Sequence, residues 1–247
     1  MAAPTVLFHV SDLHFGYEDR DALAWFLADV ERERPAAVIC TGDLTMRGSA
    51  REFALAQEWL AALPVPLTLE PGNHDVPYYH HMLRRLTRPY ARYQALEAAV
   101  ESVLDLPEIA VVPLKTVARA QFRLNWSKGR ISAPALDAAL QGLGAEAGKA
   151  LRLVAAHHPL IEADPAVPPS TRGGKAALAA LVRGGAHAVL TGHVHDAFDR
   201  TLEVEGRPVR LIGAGTLSLR LRSSPPGYNR LDWSADTGLT VTHRQRT

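Results

Sequence analysis

Apolar residues fall into short runs separated by stretches of helical period, and the two alternate through the first two hundred positions. "TVLFHV" (5–10) reads as a buried strand, rich in β-branched and aromatic residues. In "DALAWFLADVERER" (21–34), Leu23, Phe26, Leu27 and Val30 recur at the spacing of one helical face. The alternation continues with a strand at "AAVIC" (36–40), a helix at "AREFALAQEWLAAL" (50–63) and a strand at "VPLTLE" (65–70). Residues 77–101 read as helix in two pieces, because Pro89 has no N–H and interrupts the pattern. In the least patterned part, 105–132, "IAVVPLK" and "AQFRLNW" both read as strands. A helix at "ALDAALQGL", a strand at "LRLVAA", a helix at "GKAALAALV" and a strand at "AHAVL" follow. Beyond Thr201 the chain reads as extended segments with turn signals at Gly206, Pro225-Pro226-Gly227 and Asp236-Thr237-Gly238. With no internal repeat or low-complexity linker, this order predicts an α/β core finished by C-terminal strands, one domain over 1–247.

Five of the apolar runs stop in polar clusters suited to metal. "VLFHV" leads to Ser11-Asp12-Leu13-His14, "AAVIC" to Thr41-Gly42-Asp43, and "VPLTLE" to Pro71-Gly72-Asn73-His74-Asp75. "LRLVAA" leads to His157-His158-Pro159, and "AHAVL" to Thr191-Gly192-His193-Val194-His195. In parallel α/β sheets, ligands bind beyond the carboxyl ends of the strands, so these distant clusters are expected along one edge. If the backbone stays extended, Asp12 and His14 share a face, as do His193 and His195. Gly42, Gly72 and Gly192 stand beside ligand candidates, where a missing Cβ permits close approach.

Asp12, His14, Asp43, Asn73, His157, His193 and His195 make seven donors, too many for one ion that keeps an open position. One carboxylate bridging two ions gives each four protein ligands. Mixed imidazole and carboxylate donors favour manganese, iron, zinc or cobalt over calcium. Two divalent ions against two aspartates make an electropositive spot, which favours an anionic substrate, phosphate above all.

Composition narrows the setting. The 247 residues are 47 % apolar and 21 % charged, ordinary for a globular protein. A net charge of +1 supplies no field that would gather a nucleic-acid duplex or an anionic membrane. The single cysteine, Cys40, excludes an intramolecular disulfide and reads as a packed core residue. No leader is visible at the start, and no apolar run approaches the ~20 residues of a membrane helix, so a cytoplasmic protein is expected.

The ordered set D-x-H, G-D, G-N-H-D, H-x-P and G-H-x-H, spanning residues 12–195, resembles the calcineurin-like metallophosphoesterase superfamily. Within it, the intact G-N-H-D and the short chain are most similar to class III cyclic nucleotide phosphodiesterases and their bacterial relatives. The resemblance implies a four-layer αββα sandwich of two mixed sheets flanked by helices, the strand-rich part from about 201 completing the second sheet. It also implies that Asp12, His14 and His195 bind one metal and Asn73, His157 and His193 another, with Asp43 between them. His157 takes precedence over His158 because the family's ligand stands two positions before the proline, here Pro159. His74 matches a histidine that faces the phosphoryl group and its leaving oxygen without binding metal.

The activity so implied is phosphodiester hydrolysis of small substrates, cyclic nucleotides among them, by in-line attack of a hydroxide bridging the ions. Phosphomonoesters and lipid-precursor pyrophosphates are the alternative substrates. A relative cleaving UDP-diacylglucosamine usually carries arginine where His74 stands, which weighs against the latter. A non-catalytic scaffold is the reading from another class; such relatives usually lose ligands, and all seven are in place here. The expected partner is a small phosphate ester, with no nucleic-acid duplex, and the chain is expected as a monomer or homodimer.

Blander roles compete at single positions. His9 reads as a core residue, Asp75 as a residue that orders its turn, and His80, His81, His187 and His243 as surface or supporting groups. His158 stands between ligand support, substrate contact and surface. Arg84, Arg88 and Arg92, spaced i, i+4, i+8, read as a solvated face in preference to a basic rim for substrate, although Arg84 is close enough in sequence to His74 to be a substrate candidate. "DPAVPPSTRGGK" (164–175) is expected to border the pocket, and its "RGGK" lacks the spacing of a P-loop.

Overall fold

A computed structural model of the chain describes residues 3–78, 81–120, 125–162 and 171–246. The elements alternate as the pattern predicts: β1 (Thr5–Val10), α1 (Arg20–Glu33), β2 (Ala37–Cys40), α2 (Ala50–Ala61) and β3 (Leu67–Leu69). Then come α3 (Met82–Thr87), α4 (Ala91–Val100), β4 (Ile109–Pro113), α5 (Ala133–Ala145), β5 (Leu151–Ala155), α6 (Gly174–Arg183) and β6 (Ala188–Thr191). Four strands finish the chain: β7 (Phe198–Val204), β8 (Arg207–Gly213), β9 (Gly227–Ser234) and β10 (Gly238–Gln245). Local chemistry sets the helix starts. Asp19 accepts from the N–H groups of Asp21 and Ala22 to open α1, and Ser49 with Glu52 forms a capping box at α2. Pro89 falls in the gap between α3 and α4, as expected. Of the two strands predicted in 105–132, the first is β4; residues 121–124 of the second lie outside the described residues.

The strands form two mixed sheets of five, in the orders β10-β9-β1-β2-β3 and β4-β5-β6-β8-β7. Alternation along each strand divides the apolar side chains among three layers of core. Leu7, Ala37, Ile39 and Leu231 of the first sheet meet Leu151, Leu153, Ala155, Ala188, Leu190 and Ile212 of the second. Their neighbours Phe8, Val10, Val38 and Cys40 point the other way, onto Phe26, Val30, Phe53 and Leu60 of α1 and α2. Val112, Val154, Val189 and Leu211 likewise turn outward onto Leu143, Leu178 and Leu181 of α5 and α6. Each of the leucines, isoleucines, valines and phenylalanines among them, fully buried, contributes about 1.5–3 kcal/mol. The result is the expected αββα sandwich.

The C-terminal strands divide between the sheets, a correction to the expectation that they complete the second alone. β7 and β8 do extend the second sheet, but β9 pairs antiparallel with β1, in register Leu7 with Leu231, and β10 pairs with β9. The reason is visible in β9 itself: Tyr228 packs onto the helix side of the first sheet and Leu231 into the space between sheets. That two-sided burial fits the free edge of β1.

Candidate metal centre

The carboxyl ends of β1, β2, β3, β5 and β6 carry all five polar clusters, and hydrogen bonds lace their loops together. Asp12 and His14 donate backbone N–H groups to the carbonyls of Gly42 (3.0 Å) and Asp43 (2.9 Å). The two sheets are tied by the His157 imidazole on the Thr41 carbonyl (2.7 Å) and by the His193 N–H on Asp12 Oδ2 (2.8 Å). Gly72 and Gly192 allow the approach: a Cβ on Gly72 would overlap Asp43 N and Oδ1, and one on Gly192 would overlap Ser11 Oγ.

The expectation of extended backbone under the two D-x-H and H-x-H pairs is not met. Asp12 (φ 57°), His14 (47°), Asp43 (53°), His193 (72°) and His195 (64°) all adopt left-handed conformation, five of the seven such non-glycine residues among the described residues. Each side chain reaches the site by a tight left-handed turn after its strand has ended. Such conformations cost about 1–2 kcal/mol per residue and persist where surrounding structure over-determines them.

The imidazoles are oriented by what their outer nitrogens do. His157 Nδ1 donates to the Thr41 carbonyl, His195 Nδ1 to the Arg220 carbonyl (2.5 Å) and His74 Nδ1 to the Met46 carbonyl (2.6 Å). A carbonyl only accepts, so each Nδ1 carries the proton and, in the neutral ring, Nε2 presents a lone pair to the interior. Histidines that bind metal are commonly fixed in this way. His14 also turns Nε2 inward, and its buried Nδ1 has no hydrogen-bond partner among the described residues.

The inward lone pairs face other acceptors. His195 Nε2 lies 3.1 Å from Asp12 Oδ1 and 3.2 Å from His14 Nε2; Asp12 Oδ1 is buried without a hydrogen-bond donor. His157 Nε2 lies 3.2 Å from Asn73 Oδ1 and 3.4 Å from Asp43 Oδ2. Asp43 Oδ2 is also 3.8 Å from His14 Nε2, so one oxygen looks to both groups, while its Oδ1 accepts the His74 N–H (2.8 Å). His193 packs its ring edge-on to His157, centroids 5.2 Å apart. Burial opposes charge on both aspartates, yet the surrounding imidazoles outweigh it and hold Asp12 and Asp43 well below the usual carboxylate range. Burial likewise works against a charged His157, but Asp43 prevails and raises it to about 9; burial opposes charge on His195 too, and its hydrogen bond with Asp12 outweighs this and raises it. Burial carries His193 down to about 4 and lowers His74. Ionised carboxylates buried beside imidazole nitrogens call for positive charge, from protons on the rings or from cations in their place. The same side chains group into triads with mutually close ligand atoms, among them Asp12-His14-His195 and Asp12-Asp43-His157. The donor set fits a pair of divalent cations.

Other sequence-based expectations resolve locally. His158 is close to His157 and His193, but both its nitrogens are engaged, with Thr116 Oγ1 (2.9 Å) and the Ser127 carbonyl (2.8 Å), which leaves it a buttress without a free lone pair. Asp75 accepts from the N–H groups of Leu44, Thr45 and Gly72 and so ties the β2 and β3 loops; burial and the charge of Asp43 raise it to about 6. His9 is buried and held by Thr41 and Asn229. His187 accepts the Arg152 N–H, His243 bonds Asn229 and His81 is exposed, while His80 and residues 163–170 of the proline-rich loop lie outside the described residues. Arg84, Arg88 and Arg92 do not share one helix, because the chain breaks at Arg88–Tyr90; they line a separate cavity of about 520 Å³ with Leu83 and Phe53.

One residue at the site escaped the sequence reading. Arg220 places Nη1 3.0 Å from His74 Nε2 and 3.4 Å from His14 Nε2. Its segment carries no metal-type residue, but a usable signal existed: "VRLIGAG" is a sixth apolar run, and β8 lies parallel to β6, so its carboxyl end reaches the same edge.

Comparison with known proteins agrees with this geometry. The family model for the calcineurin-like phosphoesterases matches residues 5–197. A glycerophosphodiester phosphodiesterase, GpdQ, of Enterobacter lignolyticus is 38 % identical over 81 residues, 28 % of this chain and 29 % of the relative's length. A probable cyclic nucleotide phosphodiesterase of Synechococcus is 23 % identical over 92 % of this chain and 87 % of its own. The chain thus spans under a third of the first and most of the second. Among solved structures, a dimetal phosphatase from Danio rerio superposes with a TM-score of 0.70 at 16 % identity, covering 100 % of this chain and 98 % of the other. The purple acid phosphatase PPD1 from yellow lupin gives 0.68 at 11 % identity, over 99 % of this chain and 52 % of its own. At these identities the structural likeness speaks to the fold.

Proposed function

Because the chain belongs to the calcineurin-like phosphoesterase family, we propose that it hydrolyses phosphodiester bonds of small substrates, cyclic nucleotides among them, at a two-metal centre. As a member it is a hydrolase of phosphoric esters with metal-type histidine and aspartate clusters. The phosphodiesterase reading draws support from the names of the two sequence relatives described above. The observation that carries it is the convergence of ligand-type atoms: His195 Nε2 lies 3.1 Å from Asp12 Oδ1, and His157 Nε2 lies 3.2 Å from Asn73 Oδ1 and 3.4 Å from Asp43 Oδ2. Protons on the two imidazoles satisfy these pairs in the absence of metal, and a cation at each would take their place, with the other convergent donors completing its shell. Asp12, His14 and His195 would hold one ion, Asn73, His157 and His193 the other, and Asp43 Oδ2 would be shared. Two bound ions supply Lewis acidity and an activated water at neutral pH.

The chain's own groups do the rest. Met46 and Asp43 fix His74 by ring and backbone, so Nε2 stays beside the cluster, where, once it has taken up a second proton, the ring is placed to donate it to a departing alkoxide. The carbonyls of Thr41 and Arg220 hold two imidazoles in the tautomer a metal requires. The convergence of all seven donors supports catalysis over a scaffold. Bis-p-nitrophenyl phosphate is the test. Metal-free protein should be silent and manganese should restore turnover, whereas no metal-dependent release of nitrophenol would defeat the reading.

A further inference from the structure

The cavity of about 520 Å³ that Phe53, Leu83, Arg84, Arg88 and Arg92 line lies between α2, α3 and α4. It has the size of a small-molecule site, about 300–1,000 Å³. None of the seven metal-type donors, nor His74, is in its wall. Phe53 is buried there, while Leu83 is 79 % exposed, an apolar side chain that the fold leaves uncovered. Arg92 is fixed on the wall: its Nη1 donates to the carbonyl of Gly48, itself part of the lining (2.6 Å). Burial, and next the charge of Arg84, lower the Arg92 guanidinium, so the two cations stand close together. The nearby acids are engaged elsewhere. Asp75, the one acid in the wall, accepts with both oxygens from the N–H groups of Leu44, Thr45 and Gly72. Glu52, whose charge favours a charged Arg92, has its Oε2 taken by the N–H groups of Arg47 (3.0 Å) and Ser49 (2.9 Å). Among the described residues Arg84, Arg88 and Arg92 form no ion pair with an acid.

Adjacent guanidiniums repel each other, and an anion whose oxygens accept from both relieves the repulsion. A dianion does so better than a monoanion, and a phosphate monoester carries about −1.5 to −2 at pH 7. An uncovered leucine beside a buried phenylalanine offers apolar surface that an alkyl group would remove from water. We propose that this cavity is a binding site for a phosphate monoester bearing an alkyl chain, its head on Arg84 and Arg92 and its chain along Leu83 and Phe53. The site stands apart from the metal-type cluster, and the proposal does not rest on the activity given above.

Titration calorimetry with octyl phosphate tests it, on manganese-loaded protein and on the same protein stripped of metal by a chelator. Octyl glucoside serves as the uncharged comparison. Octyl phosphate should bind at least about tenfold more tightly than octyl glucoside, and equally well with and without metal. Arg84→Gln and Leu83→Asn change exposed side chains and leave the fold intact. The first should weaken octyl phosphate at least about fivefold, from a lost charged hydrogen bond, and the second about threefold, from lost apolar cover. Unchanged affinity in both variants would place the ligand elsewhere and overturn the site. Loss of all binding on removal of metal would assign the phosphate to the metal-type cluster and overturn it equally, as would octyl glucoside binding as tightly as octyl phosphate.

Discussion

Asp43 uses its two oxygens differently, Oδ1 on the His74 N–H and Oδ2 between His14 and His157. In Asp43→Asn one of those acceptors becomes an amide donor or loses its charge, and a neutral amide cannot hold two cations. Elemental analysis should therefore find at least one metal lost per chain; full metal content would reject the shared position. His74→Ala removes a ring bonded to Met46 and Arg220 and to none of the metal-type donors. Both metals should stay bound while turnover falls by about 10²–10⁴, the usual worth of proton donation in a transition state. A variant with native turnover would end that assignment. Residue by residue, the seven candidate donors drew attention because each stands in a polar cluster that closes an apolar run. Arg220 did not, since a guanidinium contributes no metal-type signature and its loop follows a run that ends in alanine and glycine. Nor did the carbonyls that orient the imidazoles, because a carbonyl is common to every residue and only its position in space distinguishes it.

At the level of elements, strand ends and glycines do most to build the site. The alternation of apolar runs disclosed where strands stop, yet it misjudged the backbone beyond them. Asp12-His14 and His193-His195 meet through left-handed turns, which leave no periodic trace in sequence. Those turns are locked by the N–H groups of Asp12 and His14 on the Gly42 and Asp43 carbonyls, by the His193 N–H on Asp12, and by Gly192 where the sheets meet. Gly72→Ala should push Asp43 from its place, because the new methyl overlaps that residue's backbone and carboxylate. The expected outcome is loss of metal together with a destabilisation of about 1–3 kcal/mol from overpacking, read from denaturant unfolding. Unchanged metal content and stability would show that the loops are slacker than the geometry implies.

Across the whole molecule, the space between the sheets is filled from both sides, with Leu7 and Ile39 against Leu153, Leu190 and Ile212. Neither sheet covers its inner face without the other, and β9 returns the end of the chain to β1. The strand-rich tail was legible as strands, but not its division between sheets, since pairing partners depend on which edges are left open. One cooperative unfolding transition is expected, coincident by circular dichroism and by labelling of Cys40, whose thiol is buried and pushed up by that burial. Two separated transitions would mean that the sheets fold as independent units. Everything in the functional account depends on two cations at the edge where both sheets end. Anomalous scattering at the manganese edge, from crystals of manganese-loaded protein, addresses this directly. The account predicts two peaks roughly 3.5–4 Å apart, one on each side of Asp43; a single peak, or none with these side chains in place, would contradict it.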